Sequence, residues 1–536
     1  MTGIYSDANN EQEWEFDDPR WYEKIPNWWD EKIFVPPNGP EKEKQRKFWV
    51  DHGQNLLKKK IINTKLNMNK VKNLVIFIGD GMGISTQMAT RAYIGDVRSE
   101  LSFEKFPFSG MSKTYCINYQ VSDSACTATA ILSGIKNNFN VLGLTGDVNL
   151  RNCTAQQDKS KHVDSIFKYA QDAGLSTGFV TNTRITHATL AAVYAKSASR
   201  YWESNEGVPD GCHDIAHQLI HGEIGSKLDV IMGGGRRSFL PNTNVNQNSE
   251  RGFRTDNRNL IDEYKENQRK QFKRFSYVQN RNELKAIDID LNDRILGIFA
   301  HSHMEYQMLS DTNIQPTLTE MTAKALEIMK KNEKGFVLLV ESGRIDHAHH
   351  QGRARLALEE TVEFDKVVDY VNNITNEEDT LTIVTADHSH VFTVGGYPPR
   401  NRNILGVGDF SRAEEKWFFT LNYANGPGHK EHAHPTGGRQ NPRGMRYMDP
   451  FFRQPATIQK EEETHAGEDV GVYANGPYAH LFSGVYEQSY LAHAMTYATC
   501  LGPKYYEKNV HCTDGAAHLS YSSVFVITVI NVIILL

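Results

Sequence analysis

The stretch NLVIFIGDGMG, Asn73 to Gly83, decides how the rest of the chain folds. Leu74 to Ile78 are apolar without a break, and glycines follow at 79, 81 and 83. A short apolar run with no polar alternation, closed by glycines, is a strand buried on both faces. Such a strand needs neighbours of its own kind, and they recur: LSTGFVT from Leu175, KLDVIMGGG from Lys227, GFVLLVESG from Gly335 and DTLTIVTADHSH from Asp379. Between them lie helical patterns: HVDSIFKYAQDAG closed by Gly174, LTEMTAKALEIMKKN from Leu318, and a face marked by Ala354, Leu358 and Val362. Strands alternating with helices predict an α/β fold, an open, mostly parallel central sheet flanked by helices on both faces. The glycines after Ile78 come near a dinucleotide-binding fingerprint without matching it. Position 84 is Ile, and Asp80 would set a negative charge where a pyrophosphate must sit.

Open parallel sheets bind ligands outside the carboxyl ends of their strands. The first strand ends in Asp80. The strand from Gly335 delivers Glu341 and, after a short turn, Asp346, His347, His349 and His350. The strand from Asp379 delivers Asp387, His388 and His390, and far downstream EEETHAGED carries His465. Carboxylates gathered on one sheet edge without cations would repel, and burying unpaired charge is costly. Divalent metals resolve that: mixed His and Asp ligation suits zinc, and carboxylate with hydroxyl suits magnesium. Asp346 and His350 are four apart, so one helical turn aims both at the same ion.

A second stretch, QVSDSACTATAILSGIK from Gln120, places Ser124 at the start of a helix. One reading is a helix cap, Asp123 or Ser124, followed by a small-residue packing face. The other is a nucleophile whose oxygen a cation holds as an alkoxide, with no neighbouring base required.

The totals fit an enzyme of this size. The chain has 536 residues, 23% charged and 39% hydrophobic, and its net charge of −6 argues against a nucleic-acid binder. Six cysteines contain no C-x-x-C pair, and two sequons stand at Asn152 and Asn373. Residues 1–40 are rich in Trp and Pro and read as an extended arm; 41–61 read as a charged helix. The acidic N-terminus lacks the apolar core of a signal peptide. At the other end, small residues from Asp514, a brief polar spacer and the tail Val524–Leu536 fit a GPI-anchor signal over 513–536, attached at Asp514. A buried C-terminal strand is the alternative, because that tail falls short of the roughly 20 residues a membrane span needs. Residues 400–457, rich in Gly, Pro, Asn, Arg and His, interrupt the βα pattern and read as a surface insertion.

The stretches NLVIFIGDGMG, DSACTATA, TRITHAT, DVIMGGGRR, VESGRIDHAHH, TADHSHVF, GGYP and EETHAGEDVGVYANGPYAHL occur in that order. With them the chain resembles an animal-type, GPI-anchored alkaline phosphatase from about residue 44 to 512, so that 41–512 is one catalytic domain. The resemblance implies a phosphomonoesterase of broad substrate use and alkaline optimum, with two zinc ions and one magnesium. Two in-line displacements would run through a phosphoserine on Ser124. Asp346, His350 and His465 would hold the first zinc. Asp80, Asp387 and His388 would hold the second, and Asp80, Thr189 and Glu341 the magnesium, with His187 nearby. Arg200 would bind phosphate. His347, His349 and His390 are expected to support rather than ligate, Tyr397 to be a rim or dimer contact, and Glu462 to tune the rim.

The resemblance also implies disulfides Cys153–Cys212 and Cys500–Cys512. Cys116 and Cys126 are left over and are expected as free thiols, with a bridge between them the alternative. Animal relatives often carry a calcium site. Ala300 and Gln315 stand here where acids are expected, so no calcium is expected. A homodimer, anchored by lipid to the extracellular face of the plasma membrane, completes the expectation. Related diesterases and sulfatases share the metal edge, but Ser124 with Arg200 favours monoesters.

Overall fold

The computed structural model describes residues 41–63, 65–243, 251–502 and 512. The expected arm over 1–40 and the anchor signal with Asp514 lie outside them. Ten strands form the main sheet: β1 (Asn73–Gly79), β2 (Phe108–Lys113), β3 (Ser176–Arg184), β4 (Val230–Gly234), β5 (Phe275–Val278), β6 (Arg294–Ile298), β7 (Phe336–Ser342), β8 (Thr380–Thr385), β9 (Val470–Asn475) and β10 (Gly484–Glu487). Their spatial order is β10-β2-β9-β8-β1-β7-β3-β4-β6-β5. From β8 to β5 every pairing is parallel. The exception to the parallel rule is β9, antiparallel to both β8 and β2.

β1 lies near the middle of the sheet and explains why its sequence has no polar alternation. Leu74, Ile76 and Ile78 enter a core on one face, packed by the helices Ser124–Ser133, Ile166–Asp172 and Ala188–Tyr194. Val75 and Phe77 enter the core on the other face, with residues from the helices Leu318–Met329 and Ala354–Ile374. The period of two still operates, but both destinations are apolar. The helix Leu318–Met329 starts at a capping box of Thr317 and Glu320. The helix Ile166–Asp172 is closed by Gly174, which takes the left-handed conformation at φ +78°.

Residues 392–459 fold outside the main sheet. Phe392–Val394, Leu421–Gly426 and Ala456–Gln459 make a three-stranded sheet, and Val407–Ser411 pairs with Lys416–Phe419. The helix expected over 41–61 is a 3-10 turn, Glu41–Lys44, followed by the α-helix Arg46–Asn63.

All six cysteines are paired. Cys153–Cys212 and Cys500–Cys512 are bridged as the resemblance implies. Cys116 and Cys126 form a third bridge, which corrects the expectation of free thiols. The first turn of the helix Ser124–Ser133 carries Cys126 back to the loop that holds Cys116, with the Cα atoms 5.8 Å apart. That separation is within disulfide reach, and nothing in the spacing of the two residues announces it.

Candidate active site

Register brings the carboxylates together. Ile78 of β1 lies level with Glu341 of β7 and with Thr385 of β8. Two residues beyond that level, Asp80 and Asp387 leave the sheet side by side, and the Gly81 N–H donates to Asp387 Oδ1 at 3.0 Å. Thr181 of β3 also lies level with Glu341 and donates its hydroxyl to Glu341 Oε2. Asp80, Glu341 and Asp387 have no exposed surface, and Asp346 has almost none.

His465 does not come from the main sheet. It sits on the two-residue strand His465–Ala466, antiparallel to Ser389–His390, with His465 opposite His390. The Nδ1 of His465 meets the carbonyl of Ser122 at 2.7 Å, and the Nδ1 of His350 meets the carbonyl of Glu463 at 2.5 Å. A carbonyl only accepts, so both Nδ1 atoms carry the proton and both Nε2 atoms carry a lone pair. Those Nε2 atoms face each other at 3.0 Å and lie 3.2 and 3.3 Å from Asp346 Oδ1. Two lone pairs and a carboxylate pointed at one spot need a cation. His390 joins the same group, yet its Nδ1 bonds Glu463 Oε2 at 2.5 Å and its Nε2 bonds Asp346 Oδ1 at 2.8 Å. Between two carboxylates it holds both protons, and burial notwithstanding its pKa is raised to about 10. His349 is likewise occupied on both nitrogens, by Thr86 and Tyr423.

On the other side, Asp80 Oδ1, Thr189 Oγ1 and Glu341 Oε1 are buried oxygens without a hydrogen-bond partner. Three such oxygens suit a hard cation. Burial, then the charges of Asp387, Asp346 and Glu341, push the Asp80 carboxyl well above the usual range. Burial pushes Glu341 up to about 7 against the pull of nearby threonine hydroxyls, and also raises Asp387. Burial would raise Asp346 as well, but His350, His390 and His465 outweigh it and hold it well below. Burial, then His465, depresses His388 far below the ordinary imidazole value.

Ser124 is the first residue of its helix and Asp123 is the cap. The Asp123 carboxylate accepts from the N–H groups of Ala125 and Cys126. Ser124 Oγ is thereby free to face Asp80 Oδ2 at 3.4 Å and His388 Nε2 at 3.3 Å. The guanidinium of Arg200 spans from Asp123 Oδ2 at 2.9 Å to His187 Nε2 at 3.1 Å. An open cleft of about 910 Å³ leads to His350 and His465, lined among others by Tyr119, Phe139 and the exposed Glu462. Tyr397 is 78% exposed and lies outside that lining.

Two buried residues escape sequence reasoning. Asp123 reads only as a cap, although it also holds Arg200. Glu463 is one of three consecutive glutamates. It precedes the strand His465–Ala466, and its carboxylate meets His390 Nδ1 and accepts the Val391 N–H at 2.8 Å, whereas Glu462 is exposed; nothing in the run of glutamates separates the two.

The profile of the family described as alkaline phosphatase matches residues 71–501. The human tissue-nonspecific isozyme of alkaline phosphatase is 43% identical over 480 residues, covering 86% of this chain and 90% of that one. A membrane-bound alkaline phosphatase of Bombyx mori is 41% identical over 484 residues, covering 86% of each. The same fold occurs in the Thermus thermophilus alkaline phosphatase, with a TM-score of 0.59 at 21% identity over 82% of this chain and 94% of that one. Among the described residues no helix is long and apolar enough to cross a membrane. With a matched profile across the whole sheet, and buried ligand groups that call for cations, this chain belongs to the alkaline phosphatase family, metal-dependent enzymes that hydrolyse phosphate monoesters.

Proposed function

We propose that the chain hydrolyses broad phosphate monoesters at alkaline pH by two in-line displacements at Ser124, using two zinc ions and one magnesium. The observation that carries this reading is the pair of Nε2 lone pairs of His350 and His465 converging on Asp346 Oδ1. Those three residues fit one zinc; Asp80 and Asp387, whose oxygens lie 3.5 and 3.2 Å from His388 Nε2 beside Ser124, fit the other with it; the orphaned oxygens of Asp80, Thr189 and Glu341 fit magnesium. When bound, the metals stabilise charge on the attacking and leaving oxygens of phosphorus.

The chain's own residues do the rest. Asp123 and His187 hold the Arg200 guanidinium flat, so that two of its N–H groups can take two phosphate oxygens. Because Asp123 occupies the N–H groups of Ala125 and Cys126, those two are closed to phosphate, and the guanidinium of Arg200 is the group placed to bind it. Ser124 Oγ attacks phosphorus, the ester P–O bond breaks, and the alcohol leaves through the cleft past Glu462. Water then attacks the phosphoserine from the side the alcohol vacated, the bond from phosphorus to Ser124 Oγ breaks and inorganic phosphate leaves; the departing alcohol takes up the proton Ser124 gave up, and Ser124 Oγ regains one from the attacking water. His187 accepts from Arg200 at Nε2 and so holds its proton at Nδ1, which suits a supporting role. Comparing an aryl phosphate with its bis-aryl ester and aryl sulfate tests the reading. At alkaline pH the monoester is a dianion, whereas the diester and the sulfate carry one charge each and the diester a second aryl group, so Arg200 and the cations should favour the monoester by about 10- to 100-fold in kcat/KM. Preference for the diester or sulfate contradicts it.

Metal retention should depend on pH. The imidazoles at His350 and His388 are held neutral by burial, so the protons a cation must displace sit on Asp80, Asp387 and Glu341. Apparent affinity is expected to rise with pH through about 7, where Glu341 titrates. Dialysis at pH 6 and pH 8 followed by metal analysis checks this; equal retention contradicts it. The same analysis is expected to find no calcium. Gln315 spends its amide on the backbone of Glu305, donating to the carbonyl at 3.0 Å and accepting from the N–H at 2.8 Å.

We extend the proposal to the assembly and the surface. Trp49, Val50, Leu56 and Leu57 are exposed on the helix Arg46–Asn63, an apolar surface suited to a second copy of the chain, and Tyr397 is a candidate for the same contact. Asn152 and Asn373 are exposed and suited to glycans; Asn152 caps its helix through Oδ1, which leaves Nδ2 for the sugar. Sedimentation and the mass of the mature protein test dimer, glycans and lipid anchor together. A bare monomer of full chain mass contradicts all three.

A further inference from the structure

We propose that the Cys116–Cys126 disulfide is a positioning device for the reaction, holding in place the groups that orient His465 and Arg200. The proposal rests on the roles given above to Ser124, Arg200 and His465. The bridge closes a ring from 116 to 126, and within that ring lie Ser122, Asp123 and Ser124. Each has a job at the site. The Ser122 carbonyl takes the Nδ1 proton of His465 at 2.7 Å and so fixes which nitrogen faces the ligand group. The Asp123 carboxylate takes Arg200 Nη1 at 2.9 Å, the Asn140 N–H at 2.9 Å and the first-turn N–H groups of the helix. Ser124 follows directly.

The sulfurs pack against these groups. Cys116 Sγ lies 3.8 Å from Asp123 Oδ1, and Cys126 Sγ lies 3.4 Å from the Asp123 carbonyl oxygen. Both cysteines are buried. Two uncharged sulfurs thus keep water from one side of the Asp123–Arg200 pair, where a drier surrounding strengthens it.

The rest of the ring faces outward. Ile117 and Tyr119 are 54% and 55% exposed. Beyond the bridge, this outer part is held by the Ile117 N–H on the Asn137 carbonyl, by Asn118 Oδ1 accepting the Phe139 N–H at 2.9 Å, by an antiparallel backbone bridge between Cys116 and Tyr119, and by the stack of Tyr119 on Phe139, centroids 4.6 Å apart. Such a loop has many conformations to choose from once its covalent closure is removed. Opening the bridge therefore frees the Ser122 carbonyl and loosens Asp123, while the sheet, both cores and the other two disulfides stay as they are. Partners that orient a metal ligand are worth about 10- to 100-fold in activity or metal affinity.

The test uses the full chain loaded with zinc and magnesium, with Cys116→Ser and Cys126→Ala combined. We expect kcat for an aryl phosphate to fall about tenfold and the inhibition constant of inorganic phosphate to rise about tenfold. A merely structural bridge would lower the melting temperature and leave kcat and phosphate inhibition within twofold of wild type; that result overturns the proposal. If the double variant does not fold, the wild-type protein is treated with a water-soluble phosphine in urea raised until peptide mapping finds this bridge open, and its activity is compared with that at the lower urea where only the less buried Cys153–Cys212 and Cys500–Cys512 bridges have opened. Each phosphine takes oxygen from water to become its oxide, and the two sulfurs leave as thiols. Activity falling while the folded signal holds supports the proposal; activity falling only with that signal, or not at all, overturns it. Ser124→Ala in parallel separates the two claims. If it is active, the site reading fails. If it is dead while the bridge-opened protein works as wild type, only this proposal fails.

Discussion

Ser124→Ala is expected to lower kcat for an aryl phosphate by on the order of 10⁴-fold, because it removes the hydroxyl that forms the covalent intermediate. Asp123 already caps the helix, and Ser124 Oγ has only the long contacts to Asp80 and His388. Removing the hydroxyl therefore should not unfold the helix or empty the neighbouring ligand groups. Incubation with labelled inorganic phosphate, quenched in acid, should label the wild-type chain on Ser124 and leave the variant unlabelled, with equal metal content in both. Labelling elsewhere in the variant would mean that another group attacks. Loss of metal from the variant would mean that Ser124 is mainly a ligand or a packing residue.

Asp80→Asn is expected to cost about 10³-fold or more in kcat, the several kcal/mol that a catalytic cation supplies, together with at least one metal equivalent per chain. Asp80 belongs to two of the ligand groups, one with Glu341 and His187 and one with Asp346 and His388. The amide keeps the shape, removes the charge and can turn N–H donors toward a place that requires lone pairs. Its effect on the metal-free protein should run the other way. Asp80 is crowded by Asp387, Asp346 and Glu341 with its carboxyl pushed well above normal, so relieving that repulsion should leave the metal-free melting temperature unchanged or higher. A variant that is active but unstable would reverse both halves of the account.

The central sheet was legible because its strands are buried on both faces and carry unbroken apolar runs. Asp80, Glu341 and Asp387 were legible for the same reason, since each ends or follows such a run. The antiparallel strand β9, VGVYAN, was not, because glycine and asparagine dilute its apolar run and it pairs with the distant FSGMSK of β2. His465 stood among the candidate ligands, but its grouping with Asp346 and His350 was recognised through resemblance alone. What holds it is a two-residue ladder to His390, too short to leave a pattern. Glu463 hid among three glutamates, and only its contacts with His390 and Val391 in the folded chain set it apart. The Cys116–Cys126 bridge stood only as the alternative to free thiols, because spacing carries no information on whether two loops meet. Asp123 was seen as a cap, and its second role with Arg200, 77 residues away in sequence, exists only in the folded chain.

The central claim is that buried carboxylates and imidazoles from β1, β7, β8 and the 465 ladder gather cations around an ordinary serine. Anomalous diffraction from crystals of the full chain grown with zinc and inorganic phosphate tests it most directly. The account predicts two zinc peaks about 4 Å apart, one touching Asp346, His350 and His465 and the other Asp80, Asp387 and His388, with phosphate between Ser124 Oγ and Arg200. Zinc bound elsewhere, or phosphate seated away from Ser124, would contradict it.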